Sequence, residues 1–187
     1  MRVSRAQADE NRERIIDTAA QLFREKGFDG IGLNDLMQAA GLTRGGFYGH
    51  FESKQDLAVQ ACRRALQANA VTLGDGLREG LATFVDGYLS DAHCADAGGG
   101  CALAALAADV ARQDESLRAV LRDGVARFAT ALESQVAGAT EAERRDAALA
   151  SLAMLVGAVI LARAVGDASL SADLRAAARR GVLAHAG

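Results

Sequence analysis

The chain has 187 residues and 19.4 kDa, the size of one compact domain or two small lobes sharing a core. Half of its residues are apolar and 24% are charged, a balance that builds a core and excludes a disordered polyelectrolyte. Three cysteines and a net charge of −3 exclude a disulfide-stapled scaffold and leave nucleic-acid binding undeclared until the charge is divided along the chain.

Average usage would supply roughly 9 prolines to a chain of this length, and there are none. Alanine, leucine and arginine dominate, and all three are strong helix formers. Together these predict an all-α protein. Residues 1–64 carry 10 Lys/Arg against 9 Asp/Glu, and the remaining residues 11 against 15, which places a weakly basic head on an acidic body. The N-terminal run MRVSRAQADENRER is polar and leads into no apolar signal segment.

In chain order, the first predicted helix is Asn11 to Lys26, with Ile15, Ile16, Ala19, Leu22 and Phe23 at helical spacing and Gly27 as its stop. Leu33 to Ala40 is a short helix ended by Gly41, and Thr43 to His50 a second short one. Ser53 is the expected N-cap of the next, with Asp56 replacing the usual Glu of a capping box. That helix is expected to reach about Thr72, with Leu57, Ala58, Ala61, Cys62, Ala65 and Leu66 on its buried face, and to break at Gly74-Asp75-Gly76. Leu77 to Leu89 follows as a helix, then a loop over Ser90 to Gly100, then helices at Cys101–Arg112, Glu115–Val136, Glu141–Val165 and Ala172–Ala184.

Residues 33–50, LNDLMQAAGLTRGGFYGH, read as helix, tight turn at Gly41, helix. Leu36, Ala39, Ala40, Leu42 and Phe47 are the expected small core that holds the pair crossed. This leaves Thr43, Arg44, Gly45 and Gly46 at the exposed start of the second helix, the end that a helix-turn-helix presents to base edges in the major groove. Arg44 can donate two hydrogen bonds to guanine, and the glycines remove side-chain bulk at the contact. Tyr48, His50 and Lys54 follow where hydroxyl and cationic donors meet phosphate. Tyr48 and His50 can equally pack the second helix, and Lys54 can be a solvated surface residue.

The stretch RIIDTAAQLFREKGFDGIGLNDLMQAAGLTRGGFYGHFESKQDL resembles the N-terminal domain of the TetR/AcrR family of bacterial transcriptional regulators. About fifty residues match in order, with G-F after the first helix, D-L-x-x-A-A-G-L-T, and F-Y-x-H-F-x-S-K-x-x-L. Gly32 departs from the pattern, since such proteins usually carry Thr or Ser there to cap the second helix and touch phosphate. The resemblance implies a helix-turn-helix domain of three helices over residues 1–54 and a helical effector-binding and dimerisation domain over 55–187. It also implies a homodimer on double-stranded operator DNA, usually a repressor, released when an inducer occupies the C-terminal domain. On the matched positions, Thr43, Arg44, Gly45 and Gly46 would face bases, and Tyr48, His50 and Lys54 phosphates.

In the C-terminal part, the 16-residue apolar run Ala147 to Ala162 falls short of the ~18 residues of a membrane span and reads as a buried helix in a soluble, cytoplasmic protein. Besides its stripe Leu149, Leu152, Ala153, Val156, Ile160 and Ala164, the helix is apolar nearly all round, which needs partners on every side. Residues 145–165 and 172–184 are therefore expected to form the dimer contact, as the family's last two long helices do. Phe84, Tyr88, Cys101, Leu106, Val110 and Phe128 are candidates to line an apolar inducer pocket, with Tyr88 as its polar handle.

Cys101 follows Gly98-Gly99-Gly100 at a helix start, a setting that can activate a thiol, and Cys94 is a candidate resolving partner. The segment GCALAALAADVAR resembles the LmrA/YxaF-type subgroup of the family, and the cysteine's setting is similar to that of a thiol-reactive sensor within it. Cys101 is thus either a small core residue or a sensor of thiol-reactive inducers; Cys62 is expected in the core. His93, Cys94 and Cys101 lack metal-ligand spacing, and no cofactor or catalytic residue is expected. The rival enzyme reading is a thiol hydrolase pairing Cys101 with His93, without an accompanying oxyanion feature.

Overall fold

A computed structural model describes residues 4–187; Met1 to Val3, the start of the polar leader, lie outside them. The described chain is all-α. Helix α1 (Arg5–Lys26) starts earlier than its apolar stripe, because Ser4 caps it by accepting from the Gln7 amide. It ends at Gly27, whose φ of 74° a residue with a β-carbon adopts only at a cost. Ile15, Ile16, Ala19, Ala20 and Phe23 form its buried face.

Helix α2 (Leu33–Ala39) stops in a Schellman motif at Gly41, φ 71°. The Gly41 amide donates to the Gln38 carbonyl at 2.9 Å and the Leu42 amide to Met37 at 2.8 Å. A 3₁₀ helix, Arg44–Gly49, follows instead of an α-helical turn. Three glycines in six residues weaken α-helical propensity, each by about 1 kcal/mol against alanine. The pair is held by fully buried Leu36, Met37 and Phe47 with Ala40. Ala39, expected in this core, is exposed, and Met37 takes its place.

Helix α3 (Lys54–Arg78) is capped by Ser53, whose hydroxyl accepts from the Asp56 amide. Asp56 reaches back to the Glu52 amide at 3.2 Å, one residue beyond the usual capping box. The helix passes through Gly74-Asp75-Gly76, where a break was expected. Leu73 and Leu77 are both buried on its inner face, and Phe84 packs onto Gly76 so closely that a β-carbon would lie 3.0 Å from its ring. Packing here outweighs the glycine penalty, and the chain turns at Gly80, φ 105°.

Helices α4 (Leu81–Tyr88), α6 (Ala102–Val110) and α7 (Glu115–Glu133) pack around the C-terminal half of α3. The segment expected as a loop over 90–100 contains a further short helix, α5 (Asp91–Ala95), capped by the Ser90 hydroxyl on the His93 amide. Helices α8 (Glu141–Ala164) and α9 (Ala168–Leu183) form an antiparallel pair against α7 and α4. Thr140 and Glu143 start α8 with a full capping box.

Helix α8 agrees with the expected Glu141–Val165 to within one residue; by length and composition it could cross a membrane, and only 33% of its most apolar window is buried, so the buried helix expected there leaves most of that window uncovered. Leu149, Ile160 and Leu161 on α8, with Leu170 on α9, remain exposed.

Candidate nucleic-acid interface and cavity

The Gly41 turn sets the geometry of the head. Thr43 stands at the N-cap of the 3₁₀ helix with its hydroxyl unused for capping, and Thr43, Arg44, Gly45 and Gly46 are all exposed. Arg44 has no ion pair or hydrogen bond among the described residues. A β-carbon at Gly45 or Gly46 would meet nothing within 4 Å, and neither has a positive φ. No packing or backbone constraint within the described chain requires glycine there. The edge is flat, bare and cationic.

Tyr48 is the most exposed large apolar side chain among the described residues, at 68%, and stands edge-on against buried Phe47 with ring centroids 5.2 Å apart. His50 is half-buried beside Phe51. Lys54 is half-buried too, and its ammonium donates to the Phe28 carbonyl at 2.6 Å. That bond ties the loop after α1 to the start of α3 and leaves two further donors on the nitrogen. Gly32 caps α2 without a side chain, so this position offers no hydroxyl.

The second feature is a cavity of about 70 Å³ between α3, α4, α6 and α7, open on one side. Of the six positions proposed for it, Phe84, Tyr88, Cys101 and Phe128 line it. Leu106 and Val110 do not; both are fully buried core. Phe84, Tyr88 and Phe128 form an aromatic cluster with centroids 5.6 to 6.1 Å apart. Asn69, His93, Gly124 and Arg127 also line the cavity and were not expected there. Asn69 carried a readable signal, a polar residue continuing the Cys62–Leu66–Leu73 stripe of α3; His93 was singled out beside Cys101 but not as a cavity residue, and Arg127 carried no signal.

The polar wall is mostly committed to the backbone. The Cys101 amide donates to His93 Nε2 at 3.0 Å, which leaves the proton on Nδ1, donated to the Tyr88 carbonyl. Burial, aided by Arg163, pushes the His93 pKa down, so the ring is neutral. Asn69 accepts from the Ala102 amide at 2.7 Å and donates to the Gly100 carbonyl at 3.3 Å. Arg24 of α1 donates to that same carbonyl at 3.0 Å, which links the cavity wall to the head. Both nitrogens of His93 are therefore engaged, and neither can take a proton from Cys101. The Cys–His hydrolase reading lacks its base.

Cys101 is buried, at 5% exposure, and is one of the residues that line the cavity. Cys62 lies in the core of α3, its pKa pushed up to about 11 by burial. Burial also raises the thiol of half-buried Cys94. The Tyr88 hydroxyl is sealed from solvent without a hydrogen-bond partner among the described residues. Burial first, then the neighbouring Cys101, raise its pKa well above the ordinary value, and it stays a neutral donor.

Comparison with known proteins matches both halves. The family model for bacterial regulatory proteins of the TetR family covers residues 15–61. The model for the C-terminal domain of LmrA/YxaF-like transcriptional regulators covers residues 78–180. The HTH-type transcriptional regulator LmrA of Bacillus subtilis is 26% identical over 161 residues, 81% of this chain and 86% of that protein. The HTH-type transcriptional repressor NemR of Escherichia coli is 31% identical over 133 residues, 67% of this chain and 66% of that one. Among solved structures, a TetR-family regulator from Cytophaga hutchinsonii superposes with a TM-score of 0.80 at 22% identity, covering 100% of this chain and 98% of that one. Reduced NemR of E. coli superposes at 0.77 and 23% identity, over 95% and 97%.

Proposed function

The chain belongs to the TetR family of bacterial transcriptional regulators, and from that premise we propose that it is a cytoplasmic, dimeric repressor rather than an enzyme. Its head over residues 1–54 grips a palindromic operator, and its body over 55–187 releases the DNA when a small molecule fills the cavity. The observation that carries this reading is the exposed edge Thr43-Arg44-Gly45-Gly46, which the Gly41 turn holds clear of the fold. Arg44 reads a guanine edge, the glycines let the groove approach the backbone, and Tyr48, His50 and the free donors of Lys54 take phosphates.

Two such heads must be spaced by one turn of duplex. The uncovered apolar face of α8 and α9 supplies the dimer contact. Occupancy of the cavity presses on α6 and on the Gly100 carbonyl that Arg24 holds, and so shifts α1 and the head with it. Binding of the purified protein to labelled duplex from its own upstream region tests this. Arg44→Ala should weaken it by about tenfold or more, since a bidentate arginine–guanine pair is worth ~1–3 kcal/mol. Unchanged binding in that variant would remove Arg44 from the base-reading role.

A second reading has its own observation: Cys101 lines the cavity. A thiol-reactive effector small enough to enter would add there, its sulfur–carbon bond replacing the S–H as the proton moves to the adduct. N-Ethylmaleimide should then abolish operator binding in the wild type and spare Cys101→Ser. Release in both proteins, or in neither, contradicts it.

A further inference from the structure

We infer that His93 is an acid-sensitive latch on the start of α6: a proton taken up at Nε2 expels the Cys101 amide, frees that helix start and loosens the head's hold on its operator. The last step rests on the reading of the body as the control of the head.

The hydrogen bonds fix which form of the ring fits. A backbone amide only donates and a carbonyl only accepts. Nε2 must therefore be bare to accept from the Cys101 amide at 3.0 Å, while Nδ1 carries the proton given to the Tyr88 carbonyl. The neutral ring thus joins the end of α4 to the start of α6. A proton from solvent on Nε2 keeps the Tyr88 bond but sets two N–H groups against each other, so the Cys101 amide must leave.

The surroundings favour the neutral ring. Tyr88 of α4 lies against it with centroids 4.6 Å apart, and Cys101 and Arg127 of α7 share its cavity wall. Arg163 of α8 donates to the His93 carbonyl at 3.0 Å. After α5, Asp96 opposes that charge, while Asp91 on α5 is already paired with Arg175 of α9. Burial outweighs the help of Asp96, which keeps the ring uncharged near neutral pH.

The freed helix start has little slack. Gly98 lies against α1, where a β-carbon would come within 3.0 Å of Gln21, and one on Gly100 would lie 3.0 Å from the Arg163 guanidinium and 3.2 Å from the His93 ring. The Gly100 carbonyl accepts from Arg24 of α1 at 3.0 Å and from Asn69 of α3 at 3.3 Å. Displacing Cys101 therefore moves a carbonyl that the head itself holds.

The test is a pH series on the full-length protein from about pH 7.5 to about 5.5, with circular dichroism confirming each fold. Nuclear magnetic resonance follows the His93 ring nitrogens and hydrogen exchange of the Cys101 amide; fluorescence anisotropy follows binding to the upstream duplex. In the wild type the amide should lose protection as His93 takes its proton, below the ordinary imidazole value of about 6.5. His93→Gln supplies an acceptor and a donor that do not titrate, and its Cys101 amide should stay protected. On acidification, operator affinity should fall about fivefold or more further in the wild type than in His93→Gln, the scale of one lost backbone hydrogen bond. His50 and His185 are common to both proteins and cancel. Arg24→Gln should keep the amide transition and lose that excess. A Cys101 amide still protected beside a protonated His93, which the wild type alone decides, would overturn the latch. Equal pH dependence of operator binding in the wild type and His93→Gln would overturn its hold on the head. The amide transition in a protein that binds no duplex at any pH keeps the latch and removes the regulator; duplex binding with the amide protected throughout does the reverse.

Discussion

Glycine at positions 45 and 46 weakens the local helix, and nothing packed within the described chain requires it. The natural explanation is external: the surface that meets these residues comes too close for a side chain. Gly45→Ala and Gly46→Ala should therefore leave thermal stability unchanged or raise it by about 0.5–1 kcal/mol, while operator affinity falls. A melting curve beside a binding isotherm checks both. Lower stability with unimpaired binding would mean an internal role for the glycines. His93 makes a different residue-scale prediction. Its pKa is lowered in the fold, so on acidification the unfolded chain takes up the proton first. Stability is then complete above the ordinary imidazole range and falls as pH drops through about 6.5 towards the depressed value. Melts between pH 7.5 and 5.5 should show this acid loss in the wild type and a flatter profile in His93→Gln.

Local signals decided most of the elements. The α1 stripe, the Gly41 turn, the Ser53 cap and the buried face of α3 all follow from spacing within one turn or two, and all are found in the structure. The misplacements occur where a distant partner decides. Gly76 stays helical because Phe84 packs on it. The short α5 survives because Arg163 of α8 holds its end through the His93 and Cys94 carbonyls at 3.0 and 2.8 Å. The cavity was half legible for the same reason. Its aromatic residues stand out in a chain with 4% aromatics, whereas Arg127 and His93 reach it only through tertiary packing. At this scale Thr140→Ala should cost about 1 kcal/mol by removing the capping box of α8, measurable as a lower denaturant midpoint. An unchanged midpoint would show that packing of α8 against α7 and α9 holds its start without the cap.

For the molecule as a whole, the face of α8 is the feature a monomer does not explain. Leu149, Ile160 and Leu161 stand in water beside exposed Ala153 and Ala164, and a second copy of the same face would cover them. Sedimentation should report twice the 19.4 kDa chain mass, and Ile160→Glu with Leu161→Glu should return it to the monomer and weaken operator binding with it. A monomeric wild type would remove the two-headed grip. A repressor stands or falls, however, on specific duplex recognition by its head. The most direct measurement is fluorescence anisotropy of the full-length protein on its own upstream duplex and on a scrambled duplex, in reducing buffer from about 50 to 200 mM salt. Binding should be about 10³-fold or more tighter to the upstream site than to the scrambled one, with affinity falling steeply as salt rises and the preference narrowed by Arg44→Ala. Equal affinity for the two duplexes, or none for either at the lowest salt, would contradict it.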